Sequence, residues 1–426
     1  MMQSKTLDVY YHGKHVGTLA QTPDRRVAFQ YSADWLREGF SISPFSLPLR
    51  NDVFVPKDSA REVFRGLFGV FADSLPDSWG DLLLDRYLNS IGIDSGSLSV
   101  LERLAYSGSS GMGALEYRPA KNSDFNMDPL GLNYDDIACE CSKILSSKTS
   151  DQLDILYNLA GSSGGTRPKI LLNEAGKEWI VKFPAKKDPA ISGKREYDYS
   201  LCAKNCGIYM TETQLISSKV CEGYFKTERF DRKNGEKILT VTVAGLLEVD
   251  FRAPSCDYET YMKLTRILTK DNMHDLEQMY RVMCFNILTH NRDDHTKNFS
   301  YMYTDDKSWR LAPAYDLTYS DTYFGEHTTS VNGKGKDISD DDLIKVGSEA
   351  GLSKSLCMDI LNSVKTETGA LDEYLSKKPR PRSKKTTGKT GLKKYPPDTM
   401  GAVSYDIITL EKKKRDLWII FLITME

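Results

Sequence analysis

Alternating apolar and polar positions open the chain. Thr6–Tyr11 (TLDVYY), His15 to Ala20 (HVGTLA) and Val27–Tyr31 (VAFQY) each place apolar side chains at a period of two, and His12-Gly13 between the first two runs predicts a hairpin turn. From Val63 to Ile91 the period lengthens to that of a helix, interrupted at Leu75-Pro76-Asp77, and Asp81 to Leu88 (DLLLDRYL) predicts an amphipathic helix. These segments make a small mixed α/β module over residues 1–115, ending near the glycine-rich stretch Ser107 to Gly113.

A second unit follows Asp151. The apolar run Gln152 to Leu159 predicts a strand entering the turn-rich loop Gly161 to Lys169 (GSSGGTRPK), and Ile170 to Leu172 and Glu178 to Phe183 predict two more strands. Glu196 to Asn205 has helical spacing and Gly223 to Phe230 that of a strand. Asp257 to Thr289 is strongly helical, with Leu276, Met279, Met283 and Ile287 on one face. Two short strands, Phe299 to Tyr303 and Trp309 to Ala312, bracket the turn Thr304 to Lys307, and Asp340 to Tyr374 is helical again. The order divides the chain into the first module, a nucleotide-binding part over 150–245, a helical lobe over 246–375 and a tail over 376–426.

Composition changes this picture only at the tail. The 426 residues are 40% hydrophobic and 27% charged, values of an ordinary globular chain able to bury a large core. The formal net charge is −2, but nine basic residues and no acid lie between Ser376 and Lys394. Outside that segment 48 Lys and Arg face 59 Asp and Glu, so an acidic body is expected to carry a basic, disordered tail rich in Lys, Pro, Thr and Gly. The first twenty residues lack a secretory apolar core, and the longest apolar run, Leu417 to Met425, is about half of a membrane span. A cytoplasmic location with no membrane association is the expectation. The eight cysteines lack the paired spacing of a zinc site and are expected as reduced thiols.

The candidate chemistry concentrates at a helix end. Asn291-Arg292-Asp293-Asp294-His295-Thr296-Lys297-Asn298 presents four reactive polar groups on a loop between rigid flanks, and Asp316 follows eighteen residues after Asn298. Phosphoryl transfer needs a carboxylate to take or orient the proton of an attacking hydroxyl. It also needs a second carboxylate and an amide oxygen to hold magnesium. Asp293 and Asn298 have the D-x-x-x-x-N spacing of a protein-kinase catalytic loop, and Asp316 stands where such an enzyme has its metal aspartate. Lys182, on the strand before the Glu196 helix, supplies a phosphate-binding lysine with Glu196 as its ion-pair partner. The loop Gly161 to Lys169 has three glycines that let backbone N–H groups approach phosphates, with Arg167 and Lys169 adding charge.

These residues together resemble the HipA family of bacterial serine/threonine kinase toxins. The resemblance is carried by Phe71 to Gly80 (FADSLPDSWG), Ser162 to Lys169, Ile180 to Phe183, Glu228 to Arg232 (ERFDR), Asn291 to Asn298 and Tyr315-Asp316-Leu317. It implies an α+β, two-lobed protein-kinase-like fold binding ATP and Mg2+ between the lobes. Asp293 is implied as catalytic base, and Asn298 and Asp316 as metal ligands. Gly164, Gly165, Thr166, Arg167, Lys169, Lys182, His295, Tyr315 and Asp316 are implied around the nucleotide, with Glu228, Arg229 and Phe230 as the hinge meeting adenine. It further implies autophosphorylation at Ser162 or Ser163, an aminoacyl-tRNA synthetase as protein substrate, and a helix-turn-helix antitoxin like HipB that carries the kinase to operator DNA. Two other functions share these residues: a kinase-fold scaffold or corepressor for a DNA-binding antitoxin, and a small-molecule kinase.

Overall fold

All but one of the strands expected before residue 231 fall in two four-stranded antiparallel sheets, each built from a hairpin. In the computed structural model, which describes residues 6–108, 111–121, 133–150, 152–160, 165–322 and 324–376, β1 (Thr6–Tyr11), β2 (Lys14–Gln21) and β3 (Val27–Tyr31) are joined by β4 (Leu115–Arg118) in the order β3-β2-β1-β4. His12 and Gly13 turn between β1 and β2 at φ of 47° and 74°, the left-handed pair that a two-residue hairpin favours. β4 escapes sequence reading because four residues after a glycine-rich stretch carry too little alternation. Its edge pairing with β1 supplies what the pattern lacks.

The second sheet contains β5 (Lys169–Glu174), β6 (Lys177–Lys182), β7 (Thr213–Ile216) and β8 (Tyr224–Glu228) in the order β5-β6-β8-β7. Its register sets Lys169 directly opposite Lys182, and Lys182 opposite Phe225. Two lysines are thereby cross-strand neighbours on one face, an arrangement that is unfavourable unless anions face it. The Ser192–Asn205 helix follows and packs beside β7 and β8.

One expectation fails. Leu153–Ala160 is a helix, not a strand. Leu153, Leu156, Tyr157 and Ala160 have i, i+3, i+4, i+7 spacing, and a short apolar run fits either structure until packing chooses. Tyr157 stacks on Tyr87 of the Ser78–Ser90 helix at 4.3 Å between ring centroids, and a shared core with Ile170, Leu172 and Val181 of the second sheet holds it there.

After the short strands β9 (Arg232–Lys233) and β10 (Glu236–Lys237), a three-stranded sheet orders β11 (Leu239–Thr242), β12 (Ser300–Tyr303) and β13 (Trp309–Leu311) side by side. The helical stretch expected over 257–289 is two helices, Tyr258–Leu268 and Met273–Leu288. Asn272 caps the second through the Asp275 N–H. Tyr261, Met279, Met283 and Phe285 are fully buried in a core that continues through the Asp340–Glu349 and Lys354–Thr368 helices and reaches Leu7, Val9 and Phe29 of the first sheet. The described residues fall in one compact unit.

Candidate active site

The β12–β13 hairpin explains the eighteen-residue interval between Asn298 and Asp316. Residues 289–298 leave the Met273–Leu288 helix and enter β12, and the chain returns along β13 to deliver Tyr315 and Asp316 beside the loop it left. The Tyr315 hydroxyl donates to the Lys297 carbonyl at 2.7 Å and lies 2.6 Å from Ser300 Oγ, joining the two ends. Asp316 takes φ of 54°, the left-handed region that a non-glycine residue enters under constraint.

Asp316 and Lys182 form an ion pair, and Lys182 Nζ also donates to Glu196 Oε1 at 2.6 Å. Burial alone would depress the lysine, but the two carboxylates hold it above its ordinary range. The same cations act on Asp316: burial raises its carboxyl, yet Lys182 and Lys169 leave it far below the usual carboxylate value. Lys169, opposite Lys182 across the sheet, is pushed down to about 8 by burial, with the Asp316 charge opposing and Lys182 reinforcing. Arg167 pairs with Asp188 at 2.8 Å and also feels the Asp316 and Glu196 charges. Three cations expected from separate positions in the chain thus gather around one aspartate.

In the loop, adjacent aspartates take opposite sides. Asp293 has a side chain 62% exposed, while Asp294 is buried and accepts from Tyr258 Oη at 3.0 Å and the Thr329 N–H at 3.1 Å, with His327 Nδ1 3.0 Å away. Asn286 Nδ2 donates to the same tyrosine and Asn291 Nδ2 to Asn286 Oδ1, so a buried polar network fixes the loop from behind. This role of Asp294 has no signal in the sequence beyond its five-residue offset partner being absent. Asn298 Nδ2 donates to the Asp293 carbonyl at 2.7 Å, which closes the loop, and His295 Nε2 lies 3.7 Å from Asp293 Oδ1.

Of the expected hinge, Glu228 ends β8 with its N–H on Glu212 O and its carbonyl accepting Thr211 Oγ1 at 2.7 Å, while the Arg229 N–H donates to Glu178 O. The Arg229 side chain points into a buried cluster with Asp231, Arg232 and the Gly111 carbonyl. Phe230 stacks on Tyr315 at 5.1 Å between centroids. Thr166 is exposed and Gly165 takes φ of 93°. Ser162, Ser163 and Gly164 lie outside the described residues. The structure adds two contributors to which no role was given: Asp77 and Trp79 of the first module. Asp77 pairs with Lys297 at 2.6 Å, and the Trp79 indole donates to the Lys169 carbonyl at 3.1 Å.

The family model of the HipA N-terminal domain matches residues 7–118, and that of the HipA-like C-terminal domain matches residues 161–370. The chain belongs to the HipA family. A solved structure from Shewanella oneidensis MR-1, the complex of its toxin–antitoxin proteins HipA and HipB with operator DNA, superposes at a TM-score of 0.63 and 19% identity. That alignment covers 88% of this chain and 92% of that one. The shared architecture is the two-lobed, kinase-like fold, with the β5–β8 sheet of this chain in one lobe and its Asn291 to Asn298 loop in the other. Y4dM of Sinorhizobium fredii, a protein named for a kinase, is 28% identical over 201 residues, which are 43% of this chain and 49% of Y4dM. The match thus spans about half of that relative's length.

Proposed function

We propose that this HipA-family chain is an ATP-dependent serine/threonine protein kinase acting as a toxin, with Asp293 as the catalytic base. The observation that carries this is the meeting of Lys182, Glu196 and Asp316, residues from a sheet, a helix and a hairpin end, beside a loop that leaves one aspartate open to solvent. A purely structural ion pair has no need of the exposed Asp293 or of the extra cations Lys169 and Arg167.

Roles follow from chemistry. The ammonium groups of Lys182 and Lys169, with Arg167 and the N–H groups near Gly165, suit the phosphate oxygens of ATP. Glu196 keeps Lys182 charged and aimed. Asp293 accepts the proton of a substrate hydroxyl as that oxygen becomes the nucleophile. Phe230 and Tyr315 form an aromatic floor, with His295 near the nucleotide; the Glu228 and Arg229 N–H groups are already bonded within the chain, so the second lone pair of the Glu228 carbonyl and the Phe230 backbone are the hinge groups left for adenine.

Magnesium fits the donors present. Among the described residues no three His, Cys, Asp or Glu side chains converge as a metal cage. One carboxylate, Asp316, and one amide oxygen, Asn298, instead match a hard ion that keeps most of its shell for water and phosphate. When bound it neutralises phosphate charge.

The kinship with HipA supports a protein substrate, for which an aminoacyl-tRNA synthetase is the expected class, and autophosphorylation at Ser162 or Ser163. The Shewanella complex supports a HipB-like antitoxin as the partner that brings the chain to operator DNA. Incubation with ATP and magnesium followed by mass spectrometry tests the proposal. Phosphate is expected on the peptide bearing Ser162 and Ser163 and on protein in a cell extract. Neither appearing on the wild-type chain overturns kinase activity. Expression of the wild type should arrest growth and that of Asp293→Gln should not; equal tolerance of both overturns toxicity.

A further inference from the structure

Asp77 occupies the N-cap of the Ser78–Ser90 helix, where an aspartate ordinarily accepts an N–H from its own first turn. Its side chain makes no such bond. Both carboxylate oxygens reach elsewhere: Oδ2 accepts the Gly165 N–H at 2.8 Å and Oδ1 accepts from Lys297 Nζ at 2.6 Å. These partners are 88 and 220 residues away in the chain. Gly165 closes the glycine-rich stretch, and Lys297 sits next to Asn298. Two residues on, the Trp79 N–H points to the Gly165 carbonyl at 3.5 Å and its indole bonds the Lys169 carbonyl. Neither partner of the ion pair is a loose surface group: the side chains are 16% exposed for Lys297 and 27% for Asp77, and the ammonium also sits 4.5 Å from the Phe251 ring centroid.

A glycine-rich segment loses much conformational entropy when it closes over phosphates. Anchoring one end before the nucleotide arrives lowers that cost. The same carboxylate holds Lys297, four residues from Asp293, away from the carboxylates of its own loop. We infer that Asp77 is a positioning residue for phosphoryl transfer, by which the N-terminal module ties the end of the phosphate loop to the catalytic loop in a single fixed arrangement. This rests on the kinase proposal for its consequence, but the tie itself can be measured without activity.

The full-length chain is compared with Asp77→Ala, Lys297→Met and the double variant. Of the two charge-assisted hydrogen bonds that Asp77→Ala removes, the one to the Gly165 N–H acts on the phosphate loop and sets the scale, so KM for ATP is expected to rise roughly tenfold with a smaller fall in kcat. The double variant is expected to match the more affected single variant, because the two side chains act as one unit. Hydrogen exchange supplies the second readout: amides from Gly165 to Lys169 should exchange faster in Asp77→Ala, while those of the Ser78–Ser90 helix keep their wild-type rates. Unchanged exchange at Gly165 to Lys169 overturns the tie, whether or not the wild type transfers phosphate. Equal acceleration throughout the helix overturns it too, since the aspartate is then merely part of the helix's stability. Altered exchange with an unchanged KM in an active enzyme overturns the positioning role. An inactive wild type with locally altered exchange sinks the kinase proposal and leaves the tie standing.

Discussion

At the scale of single residues, exposure separates groups for chemistry from groups for structure. Asp293 makes no buried contact through its carboxylate, so Asp293→Gln should cost phosphoryl transfer roughly 100-fold or more, the usual worth of a positioned base. Its melting temperature should stay near that of the wild type. Lys182 is the opposite case. Lys182→Met leaves the buried Glu196 carboxylate facing Asp316 with no cation between them; because the Asp316 side chain is 37% exposed and its charge partly screened, the cost falls below the roughly 3–5 kcal/mol of a fully buried pair. Thermal denaturation should show a marked drop together with loss of ATP binding. Asp73 offers a pH test. It is buried against the Thr242 N–H and hydroxyl, and burial pushes its carboxyl up to about 6 against the pull of Lys297 and Thr242. The folded chain therefore holds this proton more tightly than the unfolded chain. The contribution of Asp73 is most favourable below about pH 4 and declines as pH rises to about 6, by on the order of 3 kcal/mol. Denaturant titrations of wild type and Asp73→Asn should give a stability difference that shifts across this window and is flat above it.

Between elements, close backbone contact decides how the first module meets the C-terminal domain. A side chain added at Gly69 would meet the Gly245 carbonyl oxygen at 2.3 Å and its Cα at 2.5 Å, both main-chain atoms that cannot swing away. The short Gly69–Ala72 and Val243–Leu247 helices thus touch through their glycines. Gly69→Ala should destabilise by about 1–3 kcal/mol through overpacking, read as a lower midpoint in urea. Val27–Tyr31 and Met273–Leu288 were legible in the sequence because their large apolar residues, Val27, Phe29 and Tyr31 in the one and Leu276, Met279, Met283 and Ile287 in the other, recur at the period of a strand or a helix. Leu153–Ala160 was misread because eight residues with a polar minority satisfy both periods. β4 was missed because its stability comes from β1, more than a hundred positions away.

Across the whole molecule, the N-terminal module and the C-terminal domain share one hydrophobic core, which runs from Leu7 and Val9 to Val364 and Tyr374. A chain beginning at residue 133 lacks every member of that core from Leu7 to Tyr117 and exposes the residues packed against them. It should lack a cooperative thermal transition, as checked by near-ultraviolet circular dichroism. Among the described residues no helix is long and apolar enough to cross a membrane. The basic residues from Lys377 to Lys394 lie outside the described residues, and within the acidic body Arg167, Lys169 and Lys182 are the cations gathered around Asp316.

The sequence by itself determined the chemical inventory: an aspartate and an asparagine five apart, a second aspartate beyond a hairpin, a strand lysine, a helix glutamate and the family they compose. Such information is local, since spacing and residue type survive in a linear string. Tertiary structure alone decided which of Asp293 and Asp294 faces outward, that Arg229 turns its side chain into a buried ionic cluster, and that Asp77 abandons its own helix for Gly165 and Lys297. Those choices depend on which groups packing leaves within about 3 Å of each other, and for residues hundreds of positions apart no periodicity along the chain records that distance.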